Sequence, residues 1–173
     1  AFADADRQVD RSGDPISRSV QSGVFMNTRW NGFLQFRYID ENIRSGGQLI
    51  GRKQVGYFAQ FSPSRLLSVV SVGGVSGQEI DFANSRPGTG TTIKVSAALN
   101  PTNHLNVLIN ADQRWLNVDD ATGLESRLFT ARVARLRATY TLTSRLFVRL
   151  TAQYESTRRD PGLYTFPTPA KQG

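Results

Sequence analysis

The chain has 173 residues, of which 21 are basic and 14 acidic, so its formal net charge is +7 at pH 7. It contains no cysteine and one histidine, His104, which excludes disulfides and thiolate metal sites and argues against a histidine-based catalytic or metal site. No stretch approaches the roughly 18 to 20 consecutive apolar residues of a transmembrane helix.

The N-terminal part of the chain begins without a clear period and then alternates. Residues 1–14 are polar, and we predict a loop or disordered end there; no apolar segment of the signal-peptide type is found in them. A first strand is predicted over 16–28, followed by a tight turn at Asn31-Gly32, because Asn-Gly tolerates positive φ. The second strand is predicted over 33–39.

The middle of the chain is predicted to contain strands joined alternately by short turns and long polar loops. The long loops are 40–53, 76–90 and 119–127, and the short turns are 62–65, 100–103 and 141–145. Strands are predicted over 54–61, 66–75, 91–99, 104–118 and 128–141. The apolar positions of the last of these change phase near Ala134, which predicts either a β-bulge or a different register.

The clearest alternation lies in the last predicted strand, 146–156. Apolar residues occupy every second position and mostly polar residues lie between them: Leu146, Val148, Leu150, Ala152 and Tyr154 against Phe147, Arg149, Thr151, Gln153 and Glu155. Successive side chains of a strand point to opposite faces, so this strand has one apolar and one largely polar wall. Residues 157–173 contain prolines and are predicted to be a polar loop.

Alternating short turns and longer loops are typical of bacterial outer-membrane β-barrels. In such a barrel both ends lie on the short-turn side, but here they are predicted on the long-loop side. We therefore predict an all-β fold: an antiparallel meander of about eight strands over 15–156, an incomplete segment of a larger transmembrane β-barrel. Other parts of the protein, or another chain, would supply the remaining strands, because lipid does not tolerate unpaired strand edges.

One set of polar side chains is predicted to face the barrel interior: Gln35, Arg37, Lys94, Asp112, Arg114, Arg135, Arg137, Arg149, Gln153 and Glu155. A basic lumen would favour anionic or sugar-like solutes through charge-assisted hydrogen bonds. Alternatively, these groups only solvate the interior, with Arg149 and Arg137 paired to Glu155 and Asp112.

Three aromatic residues near predicted strand ends, Trp30, Tyr140 and Tyr154, are interpreted as an interfacial girdle; the alternative is that they stack on sugars. The glycines at 46–47 and 88–90 do not lie between a strand and a helix and precede no Gly-Lys-Ser/Thr, so they are interpreted as loop glycines. We expect no catalytic residue, metal or cofactor.

The segment 136–149, with Gln153-Tyr154-Glu155-Ser156, resembles the near-C-terminal region of a poorly characterised bacterial family. The turn at 27–32 and the loop Arg44-Ser45-Gly46-Gly47-Gln48 are also similar, although the family more often has Arg-Gly-Gly-Pro in that loop. Its members are outer-membrane proteins with an N-terminal family-nine-type carbohydrate-binding domain and a C-terminal β-barrel of unknown function. The resemblance implies that this chain lacks the carbohydrate-binding domain and the closing strands, and it transfers no catalytic residue.

These observations predict a non-catalytic, porin-like segment in the bacterial outer membrane with a transport or surface-assembly role. Its expected partners are the lipid bilayer, the remaining barrel strands and a carbohydrate or anionic solute. The alternative is a soluble β-sandwich that binds carbohydrate. A basic β domain that binds nucleic acid is the weaker third hypothesis, because most arginines fall in predicted strands rather than in a basic helix or loop. In the first case Val148, Leu150, Ala152 and Tyr154 face lipid; in the second they are buried against another sheet.

Overall fold

A computed structural model describes residues 1–120 and 122–172. These residues form one open antiparallel sheet in which ten strands follow one another in sequence order. Nine strands are long and the tenth has two residues: β1 Phe2–Val9, β2 Pro15–Thr28, β3 Gly32–Ser45, β4 Gln48–Phe61, β5 Leu67–Asp81, β6 Arg86–Leu99, β7 Leu105–Asp119, β8 Glu125–Thr143, β9 Leu146–Arg159 and β10 Lys171–Gln172. The prediction of an all-β antiparallel meander is confirmed.

The two faces of the sheet differ in chemistry, and the register shows how each is composed. One row of paired residues runs from β9 to β2 through Tyr154, Ala134, Ala111, Val95, Val72, Ala59, Leu34 and Met26. This side is called the apolar face. The neighbouring row, on what is called the polar face, runs through Gln153, Arg135, Asn110, Ser96, Ser71, Gln60 and Phe33.

The hydrophobic residues of the apolar face form a diagonal band. It contains alternate residues of 146–154 on β9, 134–140 on β8, 105–111 on β7, 93–99 on β6, 70–72 on β5, 55–61 on β4, 34–38 on β3 and 24–26 on β2. The row that ends the band on β9, at Tyr154, is the row that begins it on β3, at Leu34. The strands are thus staggered, as in a wall whose strands are tilted.

Nothing in the described residues covers this band. Val148 and Leu150 are each 61% exposed and Tyr154 is 63% exposed. The buried hydrophobic residues, Ile80, Leu116, Val118 and Leu128, lie near one end of the sheet instead, where the last three form a cluster. That end, where the connections 10–14, 46–47, 82–85 and 120–124 lie, is called the Asp120 end; the opposite end, with 29–31, 62–66, 100–104 and 144–145, is called the Trp30 end.

The predicted loop over residues 1–14 is wrong, because Phe2–Val9 forms β1. It pairs with β2 from Phe2 opposite Gly23 to Val9 opposite Pro15. Backbone hydrogen bonds to β2 hold this segment, and they do not require a hydrophobic alternation. β1 therefore runs toward the Asp120 end, so the predicted departure of the N-terminal end of the sheet on the long-loop side is also wrong.

The predicted long loops are also wrong, because the strands continue through most of them. β3 and β4 meet at a two-residue connection, Gly46-Gly47, and β5 and β6 are joined by residues 82–85. The sequence predicts loops there because these segments are polar on both faces, whereas ladder pairing depends on the backbone. All hairpin connections described are short, and the asymmetry lies in polarity: the strands are apolar toward the Trp30 end and polar toward the Asp120 end.

Two details of register differ from the sequence prediction. No bulge occurs at Ala134, which pairs regularly with Ala111 and Tyr154; the register of β7 and β8 shifts at Leu116/Asn117 instead. The phase change arises because Phe129 and Val133 lie on the polar face. In the first tight turn the positive φ values belong to Trp30 and Asn31, at 60° and 49°, rather than to Asn31 and Gly32.

The C-terminal segment is not only a loop. β9 extends to Arg159, a 3-10 turn follows at Pro161–Leu163, and β10 pairs with the free edge of β9. Between these elements the chain crosses the sheet toward the connection between β5 and β6. Arg86 donates from Nη2 to the Leu163 carbonyl at 2.6 Å, and the Thr165 hydroxyl donates to Asn84 Oδ1 at 2.6 Å.

Candidate solute-facing surface

The register brings all the polar residues singled out from the sequence to the polar face. Arg149, Gln153 and Glu155 lie on β9, and they pair with Thr139, Arg135 and Val133 of β8. The others of the set are Gln35 and Arg37 on β3, Lys94 on β6, Asp112 and Arg114 on β7, and Arg135 and Arg137 on β8.

The middle of the polar face contains a cavity of about 800 Å³. Its lining includes Gln35, Arg37, Phe58, Lys94, Asp112 and Arg135. Gly56 lies beneath Arg37, since a Cβ on Gly56 would be 2.6 Å from Arg37 Nε. Gly73 lies in the same way beneath Phe58, at 2.9 Å from its ring. A larger residue at either position would clash with the long side chain that lies over it.

Five cations of this face have no carboxylate oxygen within 4.0 Å among the described residues: Arg37, Lys94, Arg135, Arg137 and Arg149. Arg135 donates from Nε to the neutral Gln153 Oε1 at 2.8 Å, and Arg149 donates to Thr139 Oγ1 at 3.3 Å and lies over the Phe147 ring. The alternative raised from the sequence, in which Arg149 and Arg137 form ion pairs with Glu155 and Asp112, is therefore not found among the described residues. Glu155 instead accepts a hydrogen bond from Gln153 Nε2.

Arg137 stands apart within this group. Its Nε is buried and makes no hydrogen bond in the part of the chain that the structure describes. The residue pairs with Leu108 on β7 and with Thr151 on β9, neither of which offers it a carboxylate. A buried donor without a partner lowers the stability of the folded protein, so packing elsewhere must offset this loss.

A second charged cluster lies nearer the Asp120 end, and it is internally compensated. Arg52 Nε donates to Glu41 Oε2 at 2.9 Å, Arg52 Nη1 pairs with Glu79, and Arg114 Nη2 lies 3.4 Å from Glu79 Oε2. Burial by itself lowers the pKa of Arg52, but the hydrogen bond to Glu41 and the charges of both carboxylates outweigh it and raise that pKa. Sequence reasoning missed Glu41, Arg52 and Glu79 because they fell in segments taken for loops.

Three phenylalanine rings also lie on the polar face, near the Trp30 end. The centroids of Phe25 and Phe33 are 6.0 Å apart, and those of Phe33 and Phe58 are 6.2 Å apart. The available signal was parity, because Phe33 has the parity of Gln35 and Arg37 on β3 and Phe58 has that of Gln60 on β4. The sequence pattern predicts the apolar residues of these strands on the other face. The polar face thus offers an apolar strip beside its cations.

The predicted girdle residues occupy three settings. Trp30 is 68% exposed in the β2–β3 turn. Tyr140 lies on the apolar face near the Trp30 end, where its ring is 6.3 Å from that of His104. Tyr154 lies at the other edge of the apolar band on the neighbouring strand β9.

At the Asp120 end the C-terminal segment covers part of the polar face. Leu163 and Tyr164 pack against the buried cluster of Leu116, Val118 and Leu128. Burial raises the pKa of the Tyr164 phenol. The segment therefore closes over the polar face at one end and leaves the cavity open in the middle.

The described residues contain no group of three or more His, Asp or Glu side chains arranged to hold a metal ion. Within the described part of the chain, no helix has the length and apolar character needed to cross a membrane. Comparison of the chain with models of known families, with curated proteins and with solved structures gave no match.

Proposed function

We propose that this chain is part of the wall of a transmembrane β-barrel in the bacterial outer membrane, non-catalytic, with a transport or surface-assembly role. The observation that carries the proposal is the uncovered apolar band on one face of a single sheet, opposite a charged face with a cavity. A sheet with a hydrophobic face must bury that face against something. Lipid does this for a barrel wall, while water fills the other side.

The dimensions of the band support a membrane-spanning role. From Leu146 to Tyr154 the eight residue steps of β9 cover about 26 Å along the strand, or about 20 Å along the membrane normal at a tilt near 40°. That height approaches the roughly 25 Å apolar band of outer-membrane barrels. The diagonal course of the band across the sheet fits the same tilt.

The free edges of the sheet indicate what the wall needs to become complete. β1 has no partner on its outer side, and β9 is paired there only by the short β10 in the described residues. Unpaired backbone groups cost several kcal/mol each in hydrocarbon, so further strands are required on both edges. They come from other parts of the protein or from another chain. The resemblance to an outer-membrane family separately predicts a barrel that is completed by further strands.

The alternative, a carbohydrate-binding β-sandwich, needs a second sheet on the apolar face. Val148, Leu150 and Tyr154 would then be buried, whereas each is more than 60% exposed here. A sandwich also interleaves the inner faces of two sheets about 10 Å apart, and the described residues form only one sheet. The exposed band therefore favours the barrel.

Spin labels distinguish lipid from a protein partner. Because the chain has no cysteine, a single Leu150→Cys or Arg149→Cys change introduces one attachment site on each face of β9. We expect the label at 150 to be accessible to oxygen but not to a water-soluble nickel complex in membranes containing the protein, and the label at 149 to show the reverse preference. Low accessibility of the label at 150 to both reagents would mean burial against protein and would reject the barrel.

A further inference from the structure

We propose that the unpaired cations of the polar face form a path that binds oxyanions across the inside of the wall, near the middle of its height. This inference rests on the proposed function, because it requires that the polar face line an aqueous interior. It selects the solute class: carboxylate-, phosphate- or sulfate-bearing anions rather than neutral sugars. The path consists of Arg149, Arg137, Arg135, Lys94 and Arg37.

These five residues lie one polar-face row after another, with Arg149 opposite Thr139, Arg137 opposite Thr151, Arg135 opposite Gln153, Lys94 opposite Asp112, and Arg37 opposite Gly56. The apolar band on the other face shifts along the strands in the same direction, so Arg149 lies between Val148 and Leu150 of the band on β9, and Arg37 lies between Phe36 and Tyr38 of the band on β3. The five cations are therefore at a similar height in the wall and are spread sideways over β9, β8, β6 and β3.

The charges in this stretch are not balanced. Beside the five cations the same rows carry two carboxylates, Asp112 and Glu155, and neither lies within 4.0 Å of a cation in the described residues. By contrast, Arg52 and Arg114 toward the Asp120 end are paired with Glu41 and Glu79. Positive potential is therefore concentrated between the compensated cluster and the Trp30 end, and a low-dielectric wall focuses it into the interior.

Oxyanions suit these side chains better than neutral solutes do. A guanidinium presents several N–H donors in a fixed fork that matches carboxylate, phosphate and sulfate oxygens. Arg135 directs both Nε and Nη2 at one oxygen, the neutral Gln153 Oε1, at 2.8 and 2.5 Å, so its donors are already turned toward a single acceptor while its charge stays uncompensated. A neutral sugar would displace water from the cations without supplying the missing negative charge.

The local potential can be measured whether or not the interior conducts ions. Ser96 lines the cavity on β6 and, as Ser96→Cys, gives a unique thiol. We expect an anionic methanethiosulfonate to modify it faster, relative to the same reagent's rate on a free thiol, than a cationic one does. Arg135→Gln or Lys94→Gln should reduce this rate ratio roughly 3- to 10-fold, since each charge acts oppositely on the two reagents. Lys94 lies about 7 Å from Ser96 along β6, and Arg135 lies about 10 Å away across two strands, so the larger effect is expected for Lys94→Gln.

Matched controls separate charge from damage to the fold. Arg132 lies on β8 but on the opposite face, where it donates to Gln113. Arg132→Gln removes the same charge from the same strand and should leave the ratio unchanged, and Arg135→Lys, which keeps the charge, should retain most of the ratio. If Arg135→Gln impairs assembly, Lys94→Gln with the same Ser96 thiol gives the answer.

The second measurement is the ion selectivity of the barrel. In planar bilayers under a KCl gradient, Lys94→Gln should lower the anion-to-cation permeability ratio severalfold, and phosphate should compete with chloride more strongly than a neutral disaccharide does. A modification ratio that does not respond to Lys94 or Arg135 would overturn the path. The spin labels on β9 report separately: lipid exposure at 150 with an insensitive ratio rejects the anion path alone, whereas burial at 150 rejects the barrel itself.

Discussion

Asp10 and Asp120 occupy the same position in two hairpin turns and accept the same set of hydrogen bonds. The Oδ1 of Asp10 accepts from the Ser12 amide and hydroxyl at 2.9 and 2.6 Å. The Oδ1 of Asp120 accepts from the Thr122 amide and hydroxyl at 2.7 and 2.6 Å. In both turns the residue after the hydroxyl donor is a glycine with positive φ: Gly13, after Ser12, at 89° and Gly123, after Thr122, at 79°. The chain thus uses one turn design twice at the Asp120 end.

These hydrogen bonds favour the ionised carboxylate, and the first prediction concerns its pKa. The Thr122 hydroxyl, followed by the amides of Thr122 and Leu124, lowers the pKa of Asp120. A lowered folded-state pKa adds stability that is complete above the unfolded value, near 3.9, and is lost as the pH falls through the folded value. Thr122→Ala should raise the pKa of Asp120 toward its ordinary value, as measured by the carboxyl carbon resonance.

The paired turn provides the control. Ser12→Ala should raise the pKa of Asp10, whose largest influence is the Ser12 hydroxyl, and should leave that of Asp120 unchanged. If Thr122→Ala leaves the Asp120 titration where it was, the hydroxyl is not the cause of the shift.

The second prediction is that the cost of a charge on the apolar face depends on depth. Ile109 lies within the band on β7, and Thr91 lies on the same face of β6 beyond its end at Ile93. Ile109→Arg should destabilise the assembled protein in phospholipid vesicles by about 2–4 kcal/mol, and Thr91→Arg by about 0–1 kcal/mol. Denaturant unfolding measures both. Equal costs at the two sites would contradict a membrane-depth profile.

The third prediction concerns Gly74 on β5. A Cβ there would lie 2.4 Å from the Thr92 carbonyl oxygen and 2.7 Å from the Tyr57 hydroxyl. Since the carbonyl belongs to the neighbouring strand, it cannot move aside cheaply, and Gly74→Ala should cost about 1–3 kcal/mol. Gly51→Ala on β4 is the control, because its Cβ would meet only the Asn42 side-chain oxygen, at 3.1 Å. A smaller loss for Gly74→Ala than for Gly51→Ala would contradict the packing seen here.

The fourth prediction concerns the docking of the C-terminal segment. Burial raises the pKa of Tyr164, so the neutral phenol favours docking fully below the ordinary pKa near 10 and the contribution is lost as the pH rises through the folded value. Leu163→Ala removes a neighbouring contact with the buried cluster. It should lower the pKa of Tyr164, measured as the difference in tyrosinate absorbance from a Tyr164→Phe variant. An unchanged pKa would mean that the segment stays docked without Leu163.

The sequence predicts a strand well only where apolar and polar residues alternate along it. Within the apolar band, Leu146 to Tyr154 alternated clearly and the strand was predicted to within a few residues. Toward the Asp120 end both faces are polar, so Glu41, Arg52 and Glu79 carried no period and were assigned to loops. Their cluster was missed for that reason, although each lies in a regular strand.

The sequence by itself determined the two-faced strands and the set of polar residues that share one face, because side-chain direction in a strand follows from residue parity alone. Only the tertiary structure decided the register between strands, and with it the diagonal band, the order of the five cations and their lack of carboxylate partners. Those properties depend on which residue of one strand lies opposite which residue of the next. Hairpin connections and backbone pairing set that relation across the sheet, and parity within one strand does not contain it.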